Sequence, residues 1–240
     1  MKVASYNIHK CRGADGITRP DRTIGVIREL GADIIALQEV DRRFGRRGGL
    51  LDPLPIERQT EMRLLEQSDV SHRLGWRGNA LLVRGDPISH RRSRLKLPGG
   101  EPRGAIVAEL DLGAGEFRVI AAHLGLFRRS RVDQVSALMT AFLDLPPMPT
   151  ILLGDFNEWR RRGRSALRGL EPAFGVAPSI LSFPSRRPIF PLDRILGWPA
   201  GLITDLAVHD TPLARRASDH LPLTAKVNLA SAMPAGRIAA

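Results

Sequence analysis

Apolar residues along the chain fall into short runs with strand character, interrupted by stretches with helical spacing. Residues 3–8 and 33–40 (DIIALQEV) are β-type runs. Between them Pro20 and Asp21 open a segment in which Ile24, Val26, Ile27 and Leu30 suit a helix, with Gly31 as its stop. This β-α-β start predicts neighbouring strands joined by a right-handed crossover. Residues 42–55 are polar and rich in Gly and Pro and read as a loop, followed by a helix over 57–67. The middle changes character. Residues 79–83, 88–97, 105–112 and 116–123 are strand candidates separated by Gly, Pro and Asp turn signals, a spacing that predicts antiparallel pairing. A helix fits 132–143, with Val135, Leu138, Met139 and Phe142 on one face. Residues 150–153 read as a buried strand running into Gly154-Asp155-Phe156-Asn157, and later strands are expected at 192–196 and 221–229. No linker divides the pattern, so residues 1–229 read as one α/β domain with mixed sheets and 230–240 as a frayed tail.

Polar residues sit where the β-type runs end. Asn7 closes the first, Glu39 the second and His123 a middle one; Asp155 and Asn157 follow the run at 150–153, and Asp219-His220 precede the last. Such strand ends are where α/β proteins usually place their sites. Carboxylates and amides with few nitrogens suit a hard cation, Mg²⁺ or Mn²⁺, rather than zinc or copper. Each residue also has a plainer reading. Asn7 and Gly154-Asp155 are turn formers, and a histidine in a β run is commonly structural. Glu39 after an apolar run is costly unless solvated or paired.

Composition narrows the classes. The 240 residues are 43% hydrophobic and 25% charged, the profile of a globular chain rather than a disordered one. One cysteine, Cys11, excludes an intramolecular disulfide framework and a Cys-based zinc site. No apolar run approaches the roughly 18 residues of a membrane span. The start carries no secretory pattern, so a cytoplasmic location is expected. Aromatics at 5% leave little material for a stacking platform for single-stranded nucleic acid. The formal charge of +11 points to a nucleic-acid or anionic-membrane partner. Only four of the 36 basic residues are lysines, however, and so strong an arginine bias also arises from composition alone. The arginine runs at 42–47 and 160–164 read as solvated loops. The second directly follows Asp155 and Asn157, which makes Arg160 a candidate contact for a phosphate backbone or a lipid headgroup at the site mouth.

Taken in order, Tyr6-Asn7-Ile8-His9, Leu37-Gln38-Glu39-Val40, Ala122-His123-Leu124, Gly154-Asp155-Phe156-Asn157 and Ser218-Asp219-His220-Leu221-Pro222 resemble the endonuclease/exonuclease/phosphatase (DNase I-like) superfamily of metal-dependent phosphoesterases. Gly78-Asn79-Ala80-Leu81-Leu82 and Pro191-Leu192-Asp193-Arg194-Ile195 are similar to further family patterns, and the likeness runs from about residue 3 to about residue 227. The resemblance implies a four-layer α/β sandwich, two mixed β-sheets face to face with flanking helices, and a site at one end. It implies that Glu39 binds Mg²⁺ or Mn²⁺, that Asn7 helps hold metal or phosphate, and that Asp219 sits near the metal. Asp155 would orient and deprotonate the attacking water, with Asn157 beside it. His220, oriented by Asp193, would contact the scissile phosphate, and His123 would bond a non-bridging oxygen. Arg103 and Asn79 are further candidates for substrate contact. The chemistry implied is in-line hydrolysis of a phosphodiester, in which positioning and electrostatic stabilisation dominate.

The chain also departs from particular relatives. Abasic-site endonucleases carry a tyrosine from a middle segment, whereas the one tyrosine here is Tyr6 on the first strand. The long basic signatures of inositol polyphosphate phosphatases are missing, and the region Pro184-Ser185-Arg186-Arg187-Pro188 looks like a compact bacterial branch. Nucleic acid is the leading substrate class because of the charge. Phospholipid headgroups or small phosphoesters are the alternative, and a non-catalytic anion-binding module is the more distant one.

Overall fold

The computed structural model describes residues 1–41, 51–65, 76–160 and 162–230. Among the described residues, eleven strands make two sheets. The first contains β1 (Lys2–Asn7), β2 (Ile34–Gln38), β3 (Met62–Leu64), β4 (Ala80–Arg84), β10 (Ile203–Val208) and β11 (Leu223–Val227), in the order β10-β11-β1-β2-β4-β3. The second runs β5-β6-β7-β8-β9, with β5 at Ser89–Lys96, β6 at Gly104–Asp111, β7 at Glu116–His123, β8 at Thr150–Asp155 and β9 at Asp193–Trp198. Each sheet has one parallel pair, β1 with β2 and β7 with β8, and is otherwise antiparallel.

Period-two alternation sorts the side chains into layers. Val3, Ile34 and Ala36 point inward and pack with Val119, Ala121, Ile151 and Leu153 of the opposite sheet. Their chain neighbours Ala4, Ile35 and Leu37 point outward. There they bury Ile24, Ile27 and Leu30 of α1 (Pro20–Leu30), Ile56 of α2 (Pro53–Thr60) and Ala214 of α5 (Pro212–Ala217). On the far side Ile120, Ala122 and Leu152 receive Val135 and Leu138 of α3 (Arg128–Asp144). The remaining short helix, α4 (Glu171–Phe174), follows a 3-10 segment at Ala166–Leu170 on that same side. The result is the expected four-layer α/β sandwich.

Register decides where the site lies. The parallel pairs bring Asn7 level with Gln38, and His123 level with Asp155. The antiparallel neighbours then bring Asp193, Gly104 and the start of β11 to the same end. Every polar strand-end residue singled out from sequence, Glu39 and His220 included, therefore belongs to one end of the sandwich.

Several local expectations need correction. The helix expected over 57–67 is a helix at Pro53–Thr60 followed by strand β3. The prolines that read as loop suit its first turn, where Asp52 Oδ1 accepts from the Leu54 amide and caps the end. Strand β10 and helix α5 were not anticipated. The ends of α3 and β8 extend beyond the expected 132–143 and 150–153. Of the residues read as loop, 42–50 lie outside the described residues, as do 66–67, Arg161 and 231–240 of the tail.

Candidate active site

Asp155 is the centre of the end cluster and is fully buried. Gly154 before it has φ +147°, and a Cβ there would drive into the Ala122 carbonyl oxygen. A glycine is therefore required for β7 and β8 to close up behind Asp155. The Asp155 carboxylate accepts from Asn7 Nδ2 at 2.9 Å and from the Asn157 amide at 2.9 Å. The Nε2 atoms of His123 and His220 lie 3.5 and 3.8 Å from its Oδ2. Burial pushes the Asp155 pKa up to about 6, with Asp193 adding to the rise against the opposing His220 charge and the two amide donors.

His220 is clamped from its other nitrogen, Nδ1 standing 2.9 Å from Asp193 Oδ2. Ser182 Oγ donates to the same oxygen at 2.5 Å, and Phe183 packs against the imidazole with ring centroids 4.8 Å apart. Burial works against the charged ring. The carboxylates of Asp193 and Asp155 outweigh that cost and raise the His220 pKa to about 10. His220 is therefore an imidazolium held between two carboxylates.

The remaining residues form the wall and mouth. Arg103 Nη1 lies 2.8 and 2.9 Å from the two ring nitrogens of His123, and Glu101 holds Nη2 of the same guanidinium at 3.0 Å. Asn157 donates to Leu124 O at 2.9 Å and so joins the loops that follow β7 and β8. Asn79 is fully buried; its Nδ2 donates to Gly104 O at 3.0 Å and ties the start of β4 to β6. Arg160 lies at the mouth, stacked over the Trp159 ring at 4.6 Å. Ser218 Oγ donates to Asn7 O at 2.7 Å, which fastens the segment before β11 to the end of β1.

Glu39 is partly open to solvent, with Lys10 Nζ 2.6 Å from its Oε2. Lys10 is the carboxylate's one hydrogen-bond partner among the described residues. Burial alone would raise the Glu39 pKa, but the Lys10 ammonium holds it below the usual range, with His9 and Arg103 helping. His9 Nδ1 also lies 3.5 Å from Asp219 Oδ1. Backbone strain gathers here. Of eight non-glycine residues with positive φ among those described, His9, Lys10, Cys11, Glu39 and Asn157 lie at this end.

Two sets of groups could hold a metal. Asp155, Asp193 and His220 offer ligand atoms within 4.8 Å of one another. His220 Nδ1 is already hydrogen-bonded to Asp193, while Nε2 faces Asp155 at 3.8 Å, a charge contact rather than a hydrogen bond. Glu39 and Asp219 are hard oxygen donors more open to solvent than that buried set, and the Lys10 ammonium stands on Glu39 as an internal cation. Lys10, Ser182 and Phe183 were not among the residues singled out from sequence. Lys10 directly follows Tyr6-Asn7-Ile8-His9 and was accessible there; the other two approach only through the fold.

The family model for the endonuclease/exonuclease/phosphatase family matches residues 4–220. The uncharacterized protein YbhP of Escherichia coli strain K12 is 31% identical over 95% of this chain and 96% of its own. A mannosyl-6-phosphatase of Bacteroides thetaiotaomicron superposes with a TM-score of 0.67 at 17% identity, covering 95% of this chain and 99% of that one. TDP2 of D. rerio, complexed with single-strand DNA product, gives 0.64 at 15% identity, covering 95% and 98%. At those identities the two structures support the fold alone, while the family model and YbhP span nearly the whole sequence. The ordered motifs, the two-sheet sandwich and these matches agree: the chain belongs to the endonuclease/exonuclease/phosphatase family, whose named activities all cleave phosphoester bonds.

Proposed function

We propose that the protein is a Mg²⁺- or Mn²⁺-dependent phosphodiesterase that hydrolyses its substrate by in-line attack of water. The observation that carries this reading is the buried chain Asp193–His220–Asp155, with Asn7 and Asn157 donating to Asp155. Asp155 is the general base. With a pKa near 6 it is ionised at neutral pH yet basic enough to take a proton from water. Asn7 and Asn157 fix the carboxylate plane, so the proton acceptor is oriented before the substrate arrives. His220 stays protonated and places positive charge against a non-bridging phosphate oxygen as charge builds in the transition state. Asp193 and Ser182 hold its ring in place. His123 and Arg103 contact a second non-bridging oxygen, and Glu101 keeps the guanidinium turned towards the site.

Glu39, with Asn7 and Asp219 nearby, would hold the divalent ion. When bound, such an ion neutralises phosphate oxygens and supports the leaving oxygen. Water forms the new O–P bond, the P–O bond to the leaving group breaks, and the water proton passes to Asp155. Arg160 completes the substrate contacts at the mouth, whereas Asn79, fully buried, ties β4 to the start of β6 beside Arg103; nucleic acid is the substrate class favoured by charge. Among the described residues no helix is long and apolar enough to cross a membrane.

The test is hydrolysis of bis-p-nitrophenyl phosphate with added Mg²⁺ or Mn²⁺, against an EDTA control. Asp155→Asn and His220→Ala should each lower kcat by about a thousandfold. Equal rates in wild type and both variants would overturn the mechanism.

A further inference from the structure

The loops around the site mouth have a composition that phosphoester chemistry does not require. Leu126 and Phe127 follow β7, Trp159 follows β8, and Ile189 and Phe190 precede β9. All five are exposed, Phe127 by 70% and Leu126 by 61%. β7 and β8 are parallel and β9 is antiparallel to them, so these loops share the end of the sandwich that carries Asp155. They are also tied together. Asn157 Nδ2 donates to Leu124 O, Arg128 Nε donates to Arg164 O at 3.1 Å, and Trp159 meets Phe190 edge-on with centroids 6.1 Å apart.

Exposed arginines border this apolar ground, among them Arg129, Arg164 and Arg187, with Arg160 stacked on Trp159. The segments 126–130, 159–165 and 181–191 contain no Asp or Glu at all. A rim that is apolar at its centre and cationic at its border, with the adjacent Glu101 carboxylate already tied to Arg103 and the Leu126 amide, complements one kind of surface, a bilayer with anionic headgroups. The aliphatic members separate this from base stacking. Leu126 and Ile189 have no flat face to offer a base, and Arg160 already covers one face of the Trp159 indole. Both aliphatic side chains gain by entering hydrocarbon.

We propose that this rim docks the protein on an anionic phospholipid bilayer, with the mouth of the site facing the headgroups. Docking goes beyond the hydrolase reading and is measured without turnover.

The test is co-sedimentation of the protein, in EDTA, with vesicles of equimolar phosphatidylglycerol and phosphatidylcholine, and with phosphatidylcholine vesicles as control. The variant is Phe127→Ser with Ile189→Ser. Both side chains are exposed, and Phe127 occupies the N-cap of α3, where serine is favourable, so the fold is retained. Wild type should bind the anionic vesicles, bind less in high salt, and leave phosphatidylcholine vesicles in the supernatant. The double variant should bind at least about tenfold more weakly while hydrolysing bis-p-nitrophenyl phosphate at the wild-type rate. Absence of wild-type binding to the anionic vesicles, or equal binding by the variant, would overturn the proposal. So would tighter wild-type binding to a single-stranded oligonucleotide, lost in the same variant, which would make the rim a nucleic-acid platform. Vesicle binding by a protein inactive on every phosphoester would support docking and overturn the hydrolase reading instead.

Discussion

Lys10 Nζ stands 2.6 Å from Glu39 Oε2, so the carboxylate proposed to hold a divalent ion already carries a tethered cation. The lysine is delivered by three consecutive residues of positive φ, His9, Lys10 and Cys11, a strained turn that aims the side chain back at the rim. An ion that takes Glu39 must separate this pair and also sit beside a positive charge. Removing the ammonium while keeping the chain length should therefore tighten metal binding. Both partners are partly open to solvent, so the gain is small: Lys10→Met should bind Mn²⁺ roughly two- to fivefold more tightly in titration calorimetry without substrate. Glu39→Gln should weaken the same binding by at least about tenfold. Unchanged affinity in Lys10→Met would show that the ammonium does not compete for the ion.

Asn7 donates to Asp155 Oδ2, and a hydrogen bond to the charged form favours that form. Burial raises the Asp155 pKa to about 6 while Asn7 opposes the rise, so Asn7→Ala should raise it further. The rate needs ionised Asp155. In kcat/KM profiles the acid limb should therefore fall near pH 6 in wild type and at higher pH in Asn7→Ala. A lower plateau with an unmoved acid limb would assign Asn7 to substrate or metal alone.

The strand-end residues were legible because each follows or precedes a run with clear period-two pattern, and because their order carries the family likeness. What joins them was not. That Asp193 faces His220, that Ser182 backs both and that Lys10 reaches Glu39 depend on register between strands far apart in the chain. β10 escaped notice for a local reason. It is an edge strand with a mixed burial pattern, and Asp205 at φ +50° sits where its pairing to β11 slips, which erases the alternation. Pro53 and Pro55 read as loop residues although a helix accepts proline in its first turn. The exposed Phe127, Trp159 and Phe190 show the limit of composition. A low aromatic fraction says nothing of where the few aromatics stand: Trp159 and Phe190 pack together, and all three lie in loops at the end that carries Asp155.

Gly154 looked like part of a turn in Gly154-Asp155-Phe156-Asn157, but it is the fifth residue of β8 and paired with Ala122. Its φ of +147° is one that L side chains rarely adopt, and a Cβ would collide with the Ala122 carbonyl oxygen. Backbone on both sides prevents relief by a rotamer change, so the two central strands would have to separate. Gly154→Ala should cost more than about 4 kcal/mol in urea unfolding, or leave the protein unable to fold. Gly163→Ala is the control, since a Cβ there meets nothing within 4 Å, and its midpoint should not move. A native-like midpoint for Gly154→Ala would show that the β7–β8 approach is looser than drawn.

The Asp193–His220 pair also makes stability depend on alkaline pH. The His220 pKa rises from 6.5 to about 10 on folding, so the native protein binds this proton more tightly than the unfolded chain does. The contribution is fully present below the unfolded value of 6.5 and is lost progressively as pH rises through about 10. Wild type should therefore show a falling thermal midpoint across that interval, measured without metal. In Asp193→Asn one of the two facing carboxylates is gone, so burial weighs more heavily against the charged imidazole and its folded pKa lies below that of wild type. The midpoint of this variant should be lower at neutral pH, and its alkaline decline between 6.5 and about 10 should be shallower than that of wild type. An equally steep decline in both proteins would mean that another group holds the alkaline proton, and His220 would then be neutral when it meets the phosphate.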